Sequence, residues 1–279
     1  MEERYPMNFD YAVHSDFLIH WTGKDIDRKY DSKWLKSDKS KTNGNVTAMY
    51  MERLLDILQF GFWMTKEKRK ERISYNGEDI EIKPIARTCF TELKLSESRK
   101  HARNYGRLGI GVKRPFLFKR FGRPLIYYGY AKDSTSDIFL KECADHLTDK
   151  KLLNFFKPMN RSSKTKNYDF YSESEWRILY DKRLEDDDLI VDPRKFQNKD
   201  EQEYYNKHKH KMKYLIPLDG WLAMIIYPSL DVKNEAQQGD GGKEIREAIK
   251  EIKGLRDEGN ETEGGNWPIE VALDDCRNF

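Results

Sequence analysis

The stretch that decides the fold is Glu175-Trp-Arg-Ile-Leu-Tyr180, which follows Tyr171-Ser-Glu173-Ser. Polar and apolar residues alternate at its start, and this period of two is typical of a β-strand. Glu173, Glu175 and Arg177 share that period, so we predict that they project from one face as a polar row. Two carboxylates held this close repel each other unless a cation or a substrate lies between them. A salt-bridged strand edge, with Arg177 neutralising Glu175, explains the same row equally well.

Further strands and helices are predicted on both sides of this segment. The strand candidates are residues 17–22, a hairpin at 73–82, and 85–90, 108–112, 125–130, 214–217, 221–227 and 267–273. Helices are predicted at residues 46–60, 95–105, 136–156 and 241–256 from apolar residues at helical spacing. Because strands outnumber helices and do not alternate regularly with them, the predicted class is α+β and not a doubly wound sheet.

A single domain is predicted over residues 1–279, with exposed charged excursions near 24–45 and 192–213. Hydrophobic residues make up 38% of the chain and aromatic residues 13%, which is enough to build a sizeable core. Charged residues make up 35%, against about 25% in a typical protein, so the surface is expected to be heavily charged.

Several classes of protein are disfavoured by composition. The longest apolar run, residues 221–227, is far shorter than the ~20 residues that span a bilayer, so no membrane association is expected. The opening Met1-Glu-Glu-Arg-Tyr-Pro has no signal-peptide pattern, and a cytoplasmic location is expected. Cys89, Cys143 and Cys276 lie too far apart for a disulfide scaffold or a zinc ribbon.

The charge balance does not by itself indicate a nucleic-acid binder. The 51 Lys and Arg residues against 48 Asp and Glu residues give a net charge of +3. Two basic stretches, at residues 66–72 and 207–213, fit either solvated surface or a phosphate-contacting patch. His208 and His210 lack a third ligand nearby in sequence, so no metal site is predicted.

Three short segments could carry chemistry. His20-Trp-Thr22-Gly23 ends the first strand, and the two-residue spacing directs His20 and Thr22 to the same face. His20 could equally be a structural hydrogen-bonding residue. Thr91, at the end of the strand Thr88-Cys-Phe-Thr91, could cap the turn that follows. The glycines of Tyr105-Gly-Arg-Leu-Gly-Ile-Gly111 precede a strand and not a helix, so they predict close backbone packing and not a phosphate loop.

Taken in chain order, these segments resemble the three-part signature of ADP-ribosyltransferases. The residues that carry the resemblance are His20-x-Thr22, then Phe90-Thr91 with Tyr105, then Glu173-x-Glu175. The resemblance implies a split β-sheet core with peripheral helices, NAD as substrate, and no metal. It implies Glu175 and Glu173 as catalytic residues. The residues that it implies bind NAD are His20, Thr22, Thr91, Tyr105 and Arg177.

The same resemblance implies a role for each residue. Glu175 would stabilise the cation that develops on the ribose as nicotinamide leaves, and Glu173 would orient or deprotonate the acceptor. Tyr105 would stack on the nicotinamide ring. His20 would contact the adenosine-side ribose, and Thr22 would help to hold the dinucleotide.

A wider run of motifs is similar to the AbiGi-like proteins of bacterial abortive-infection loci. It consists of His-Trp-Thr-Gly at 20–23, a helix end at 57–62, Cys-Phe-Thr-Glu at 89–92, the glycine segment, Glu-Trp-Arg at 175–177 and Asp-Asp-Cys-x-x-Phe at 274–279. This similarity implies an anti-phage protein of a two-gene system, with a cognate toxin or antitoxin as partner.

Two functions are therefore carried forward. The first is ADP-ribosyl transfer from NAD to a protein or nucleic-acid acceptor. The alternative is a non-catalytic antitoxin or partner-binding module. A metal nuclease is disfavoured because Asp79 lies too close to Glu81-Ile-Lys83 for the usual arrangement of metal-binding acids.

Overall fold

The computed structural model describes residues 16–28, 39–67, 71–75, 78–92, 95–128, 134–162, 167–254 and 267–278. The helices are α1 Lys39–Phe60, α2 Ser98–Tyr105, α3 Arg114–Lys119, α4 Ser134–His146, α5 Lys182–Asp186, α6 Lys199–His208, α7 Leu230–Gln238 and α8 Lys243–Lys253. The strands are β1 Phe17–Thr22, β2 Phe62–Thr65, β3 Glu71–Tyr75, β4 Glu78–Ile82, β5 Arg87–Thr91, β6 Leu108–Lys113, β7 Arg123–Pro124, β8 Ile126–Tyr128, β9 Phe156–Pro158, β10 Asn160–Ser162, β11 Asn167–Asp169, β12 Glu175–Leu179, β13 Met212–Ile216, β14 Leu222–Tyr227 and β15 Ile269–Ala272.

Nine of these strands form one mostly antiparallel sheet. Its order is β13-β2-β5-β1-β6-β14-β15, with β12 paired to β5 and β7 paired to β12. The β14–β15 pair is parallel, as is the separate β8–β9 pair. The predicted hairpin forms between β3 and β4, and its turn lies outside the described residues. The predicted α+β class is thus confirmed as a mixed α/β fold, and its sheet is mostly antiparallel.

Helices cover one face of the sheet over the main apolar core. Leu54 of α1, Phe62 of β2, Phe90 of β5 and Ile249 of α8 all belong to this core and are almost completely buried. The opposite face carries a smaller cluster in which α2 and the C-terminal residues pack on β1 and β14. Alternate residues of each strand therefore face two different surroundings, as the period of two predicts.

The glycines of β6 are required by close packing, as the sequence predicted. A Cβ added at Gly111 would lie 2.8 Å from the Cβ of Met224 on β14, well inside van der Waals contact. Gly106 has a φ of 114°, and a Cβ there would lie 2.2 Å from the carbonyl oxygen of Thr22. Because Gly106 has no side chain, the end of α2 can lie close to the end of β1.

The two segments predicted as exposed charged excursions contain helices in their described parts. Within 24–45, residues 24–28 are helical and bury Ile26 and Asp27, and α1 begins at Lys39 instead of residue 46. Residues 29–38 lie outside the described part of the chain. Within 192–213, α6 packs on β2 through Tyr204, which accepts a hydrogen bond from Trp63 Nε1 at 2.7 Å. Most of the residues from 192 to 213 are nevertheless exposed.

The buried side chain of Arg120 connects three segments of the chain through hydrogen bonds. Arg120 is fully buried and donates hydrogen bonds to the carbonyl oxygens of Leu189 at 3.1 Å and Pro217 at 3.3 Å. It also pairs with Asp219. Within the described ranges, no helix combines the length and the hydropathy that crossing a bilayer requires.

Candidate functional site

The site begins where the sheet divides along one edge of β5. Because β12 pairs with β5 from Arg87 to Thr91, β1 and β2 must share its other edge. There, β1 pairs only through Ile19 with Thr91, and β2 pairs only through Thr65 with Arg87. The middle of this edge has no strand partner among the described residues, and a cleft opens beside it.

Two side chains replace the missing strand partner. The imidazole Nδ1 of His20 donates to the carbonyl oxygen of Cys89 at 2.9 Å. The hydroxyl of Thr88 donates to the carbonyl oxygen of Trp63 at 2.9 Å. Buried backbone groups need such partners, so His20 has the structural role that was one of its two predicted interpretations. Burial lowers the pKa of His20, so the ring is neutral at physiological pH.

A cavity of about 370 Å³, here called the acid chamber, lies on the β12 side of this divide. It brings together six of the seven predicted site residues, namely His20, Thr91, Tyr105, Glu173, Glu175 and Arg177. The seventh, Thr22, lines an adjoining cavity of about 1000 Å³, here called the basic chamber. His20 and Tyr105 line both chambers, so the two cavities meet at the divide.

A lysine that the sequence did not single out joins the two glutamates. Lys157, on β9, donates to Glu173 at 2.6 Å and to Glu175 at 2.5 Å. Arg177 donates through Nε to the other oxygen of Glu175 at 2.7 Å and through its guanidinium to the carbonyl oxygen of Asn154 at 2.5 Å. Both glutamates are buried, so two cations balance two carboxylates in a largely dry site.

The predicted polar row is partly wrong, because Glu173 does not lie on the strand. It ends a 3₁₀ turn, Tyr171–Glu173, and the next residue, Ser174, has a φ of 43°. Only Glu175 and Arg177 belong to β12. The left-handed residue reverses the backbone, and this brings the Glu173 carboxylate back to the same lysine as Glu175.

Electrostatics keep Glu175 ionised. Burial alone would raise its pKa, but Arg177 and Lys157 outweigh burial and lower the pKa to about 2. For Lys157, burial is likewise outweighed by Glu175 and Glu173, which raise its pKa. The thiol of Cys89 faces the same carboxylate, and burial together with Glu175 raises its pKa to about 12. The acid chamber therefore holds fixed charges and a protonated thiol at neutral pH.

An aromatic wall formed by α2 closes the other side of the acid chamber. His101 hydrogen-bonds the Thr91 hydroxyl through Nε2 at 2.9 Å and stacks on Tyr105 with ring centroids 4.6 Å apart. Tyr105 donates its hydroxyl to Glu173, and 37% of the residue is exposed. Burial lowers the pKa of His101 to about 4, so it is a neutral support for the tyrosine. Thr91 thus contacts α2, and the turn that it was predicted to cap includes residues 93–94, which lie outside the described part of the chain.

The basic chamber extends from the end of β1 across β2 to α6. Arg53 of α1 donates to the Thr22 hydroxyl at 3.1 Å and pairs with Asp25 at 2.9 Å. Trp21 packs in the smaller apolar cluster, and it also lines both chambers. Its indole Nε1 is buried without a hydrogen-bond partner in the described structure. Among the described residues, no group of three or more His, Cys, Asp or Glu side chains could hold a metal ion.

Sequence reasoning missed Lys157, His101 and Arg53. Each lies on a different element from the residue that it contacts, and none stands in a recognisable motif. Only the pairing of two carboxylates in Glu173-x-Glu175 hinted that a cation was needed between them.

The fold and the cleft define a mixed α/β protein with a ligand-sized polar site at a divided sheet. The chain belongs to the AbiGi family, whose model, described as "Putative abortive phage resistance protein AbiGi, antitoxin", matches residues 62–219, more than half of the sequence. The match includes Thr91, Tyr105, Glu173, Glu175 and Arg177, whereas His20 and Thr22 precede it. No curated protein and no solved structure matches the chain.

Proposed function

We propose that this protein transfers ADP-ribose from NAD to a macromolecular acceptor as part of an abortive phage-resistance system. The observation that carries the proposal is that His20 of β1, Tyr105 of α2 and Glu175 of β12 converge on one cleft at the divide in the sheet. They come from three elements far apart in sequence, in the order that the transferase signature requires. The family description supports the phage-resistance context.

The donor groups of the cleft fit the chemistry of NAD cleavage. As the bond between nicotinamide and the ribose C1′ breaks, positive charge develops on the ribose, and the ionised Glu175 stabilises it. Nicotinamide leaves with the bonding electron pair and is neutral. The acceptor then bonds to C1′ and gives its proton to Glu173. The exposed face of Tyr105 holds the nicotinamide ring, which is cationic before cleavage.

Lys157 has a defined part in this scheme. In the structure, Lys157 donates a hydrogen bond to one carboxylate oxygen of Glu175. In the proposed reaction, the 2′-hydroxyl of the nicotinamide ribose must donate a hydrogen bond to the same oxygen. Binding of the dinucleotide therefore displaces the ammonium from Glu175, while Arg177 keeps the carboxylate oriented from the other side. The bond from Lys157 to Glu173 can persist through this exchange.

The test is NAD turnover by the purified protein with labelled NAD and lysate of phage-infected host cells. Nicotinamide release and label transfer should fall by about 10²–10³ in Glu175→Gln, the usual cost of removing a group that stabilises transition-state charge. Glu92→Gln is the matched control, because Glu92 directly follows β5 but contacts Arg114 and Trp176 and does not line either chamber. Absence of both turnover and NAD binding would contradict the proposal.

A non-catalytic antitoxin is the second candidate, and two observations favour it. The family description names an antitoxin. The charges of Glu173 and Glu175 are also balanced by Lys157 and Arg177, as expected of a structural ion-pair network. Co-expression with a toxin encoded at the same locus separates the two functions. An antitoxin would still neutralise the toxin as Glu175→Gln, whereas a transferase would lose its effect.

A further inference from the structure

The basic segment at residues 207–213 lies at the rim of the basic chamber. α6 ends at His208 and β13 begins at Met212, so the segment turns sharply at the edge of the sheet. Lys207, His208, His210 and Lys211 all line the chamber. A stretch that reads as ordinary charged surface in the sequence is therefore part of a cavity that joins the acid chamber.

The lining of the basic chamber is predominantly cationic. Among its described residues, six Lys or Arg side chains stand against three carboxylates. Lys207 pairs with Glu52 at 2.7 Å, but both side chains are more than half exposed, and pairs of this kind contribute little. A phosphate group of a ligand can therefore replace the Glu52 carboxylate at Lys207 with little loss of stability. The chamber therefore suits an anionic ligand.

An aromatic group lies beside these cations. Trp63 of β2 has its ring 4.7 Å from that of His208 and 6.4 Å from that of Tyr204. Burial, followed by the nearby Lys207 and Arg53, lowers the pKa of His208 to about 4, so its ring is neutral. Its Nε2 is buried and has no hydrogen-bond partner in the described structure. Aromatic rings beside a cationic groove are typical of sites that bind single-stranded nucleic acid.

The cations outnumber the phosphates of a dinucleotide. Lys209 and Lys213 do not line the chamber, so the run of cations continues past it, and the side chains of Lys209, Lys211 and Lys213 are exposed. NAD carries only two phosphates, so a row of lysines that extends past the chamber fits a longer polyanion.

We propose that the acceptor is single-stranded nucleic acid, whose phosphates cross the 207–213 rim and whose base enters the basic chamber beside Trp63. The inference rests on the proposed transfer of ADP-ribose, because it names the acceptor for that reaction. His20 and Tyr105 line both chambers, so a base in the basic chamber can approach the ribose held in the acid chamber. A ring nitrogen or a hydroxyl of the nucleotide is then the nucleophile that attacks C1′ and releases its proton to Glu173.

The test measures binding without NAD, by fluorescence anisotropy of short labelled single-stranded DNA and RNA over a range of salt concentrations. Combined Lys209→Gln, Lys211→Gln and Lys213→Gln should weaken binding at least tenfold at low salt. The slope of log K against log salt should fall by about two, at ~0.7 for each lost phosphate contact. All three side chains are exposed, so the variant should fold. Lys243→Gln with Lys250→Gln on α8 is the control, with no expected change.

A second variant tests the aromatic group. Trp63→Leu should weaken binding about tenfold without changing the salt slope, because stacking is lost while the phosphate contacts stay. A Glu92→Gln variant, at a residue that lines neither chamber, should bind the oligonucleotide like the wild type.

The outcomes distinguish the two proposals. Failure of both DNA and RNA to bind, or equal binding by the lysine variant, overturns the nucleic-acid assignment. Label transferred from NAD to lysate proteins alone overturns it as well, while leaving ADP-ribosyl transfer in place. Oligonucleotide binding that depends on the lysines, in a protein that neither binds nor cleaves NAD, supports the nucleic-acid surface and overturns the transferase.

Discussion

Replacing Lys157 with Met should destabilise the protein more than any exposed lysine substitution. The methionine keeps most of the apolar stem but removes the charge that lies between Glu173 and Glu175. Glu175 retains Arg177, whereas Glu173 loses its ion pair with Lys157. The side chain of Glu173 is only 4% exposed, and water cannot replace the lost ammonium easily.

The size of the effect follows from the geometry. At the 2.6 Å that separates Lys157 Nζ from Glu173, the attraction is about 6 kcal/mol for an effective dielectric constant of ~20. Desolvation of the lysine offsets part of this. Removing one partner of a buried pair typically costs about 3–5 kcal/mol. We expect a loss of about 3 kcal/mol, which corresponds to a fall in Tm of roughly 6–12 °C.

The loss should depend on pH with a defined sign. In the wild type, the pKa of Glu175 is about 2 in the folded protein and higher in the unfolded chain. Its contribution to stability is therefore present above the unfolded pKa and is lost as the pH falls toward about 2. In Lys157→Met, the pKa of Glu175 is lowered less, so this contribution to stability is smaller. The difference between variant and wild type should therefore shrink as the pH falls from about 4.5 toward about 2.

Urea unfolding followed by tryptophan fluorescence measures both effects. Lys250→Met is the matched control, because Lys250 pairs with Glu247 on the surface of α8 and a pair of this kind is worth less than about 1 kcal/mol. Adding Glu173→Gln to Lys157→Met should restore part of the stability by removing the buried carboxylate that lost its ion pair with Lys157. A loss at Lys157 no larger than the control, or one that stays constant with pH, would refute the account of the paired carboxylates.

Three further predictions concern packing and reactivity. Gly111→Ala should lower the free energy of unfolding by about 1–3 kcal/mol, measured in urea, because its Cβ would overlap that of Met224. The thiol of Cys89 should stay unlabelled by a thiol reagent at about pH 8 until the protein is unfolded, because a pKa of about 12 leaves only ~10⁻⁴ as thiolate. Arg120→Met should cost about 3 kcal/mol in urea unfolding, since it leaves buried backbone carbonyls without a donor.

Each of these has a control that can contradict it. Gly241→Ala meets only the end of a flexible glutamate side chain, so its effect should be much smaller than that of Gly111→Ala. Cys89→Ser identifies the signal of Cys89 among the free cysteines. Rapid labelling that this substitution abolishes would show a reactive thiolate. If Arg120→Met unfolds at the wild-type urea concentration, the bonds of Arg120 to the chain contribute no net stability.

Strands were the most predictable part of the fold. Residues that alternate along a strand lie on opposite faces of the sheet, so the alternation can be seen directly in the sequence. The predicted segments at 17–22, 108–112 and 221–227 agree closely with β1, β6 and β14. The start of α1 was not predictable in this way. Asn43-Gly44-Asn45 has low helix propensity and suggested that the helix begins after it, yet α1 runs through these residues.

The candidate site was predictable as a set of residues but not as a network. Short motifs located Glu175, Tyr105 and His20, and the fold brings them to one cleft. Lys157 had no signal, because a single lysine before a proline in a three-residue strand is common in surface sequence. Its role arises only from the position of β9, which depends on tertiary packing. Local patterns indicate which faces are polar, whereas long-range pairing decides which charges meet.

The divided edge of β5 has a mechanical consequence. Between β1 and β5 the backbone ladder is a single register pair, Ile19 with Thr91, reinforced by the His20 bond to Cys89. Such a seam is softer than the six-residue ladder between β1 and β6, so bending concentrates there. The main core packs across one face of this seam. We therefore expect the sheet to bend along this seam, and a ligand that contacted both chambers would restrain that bending.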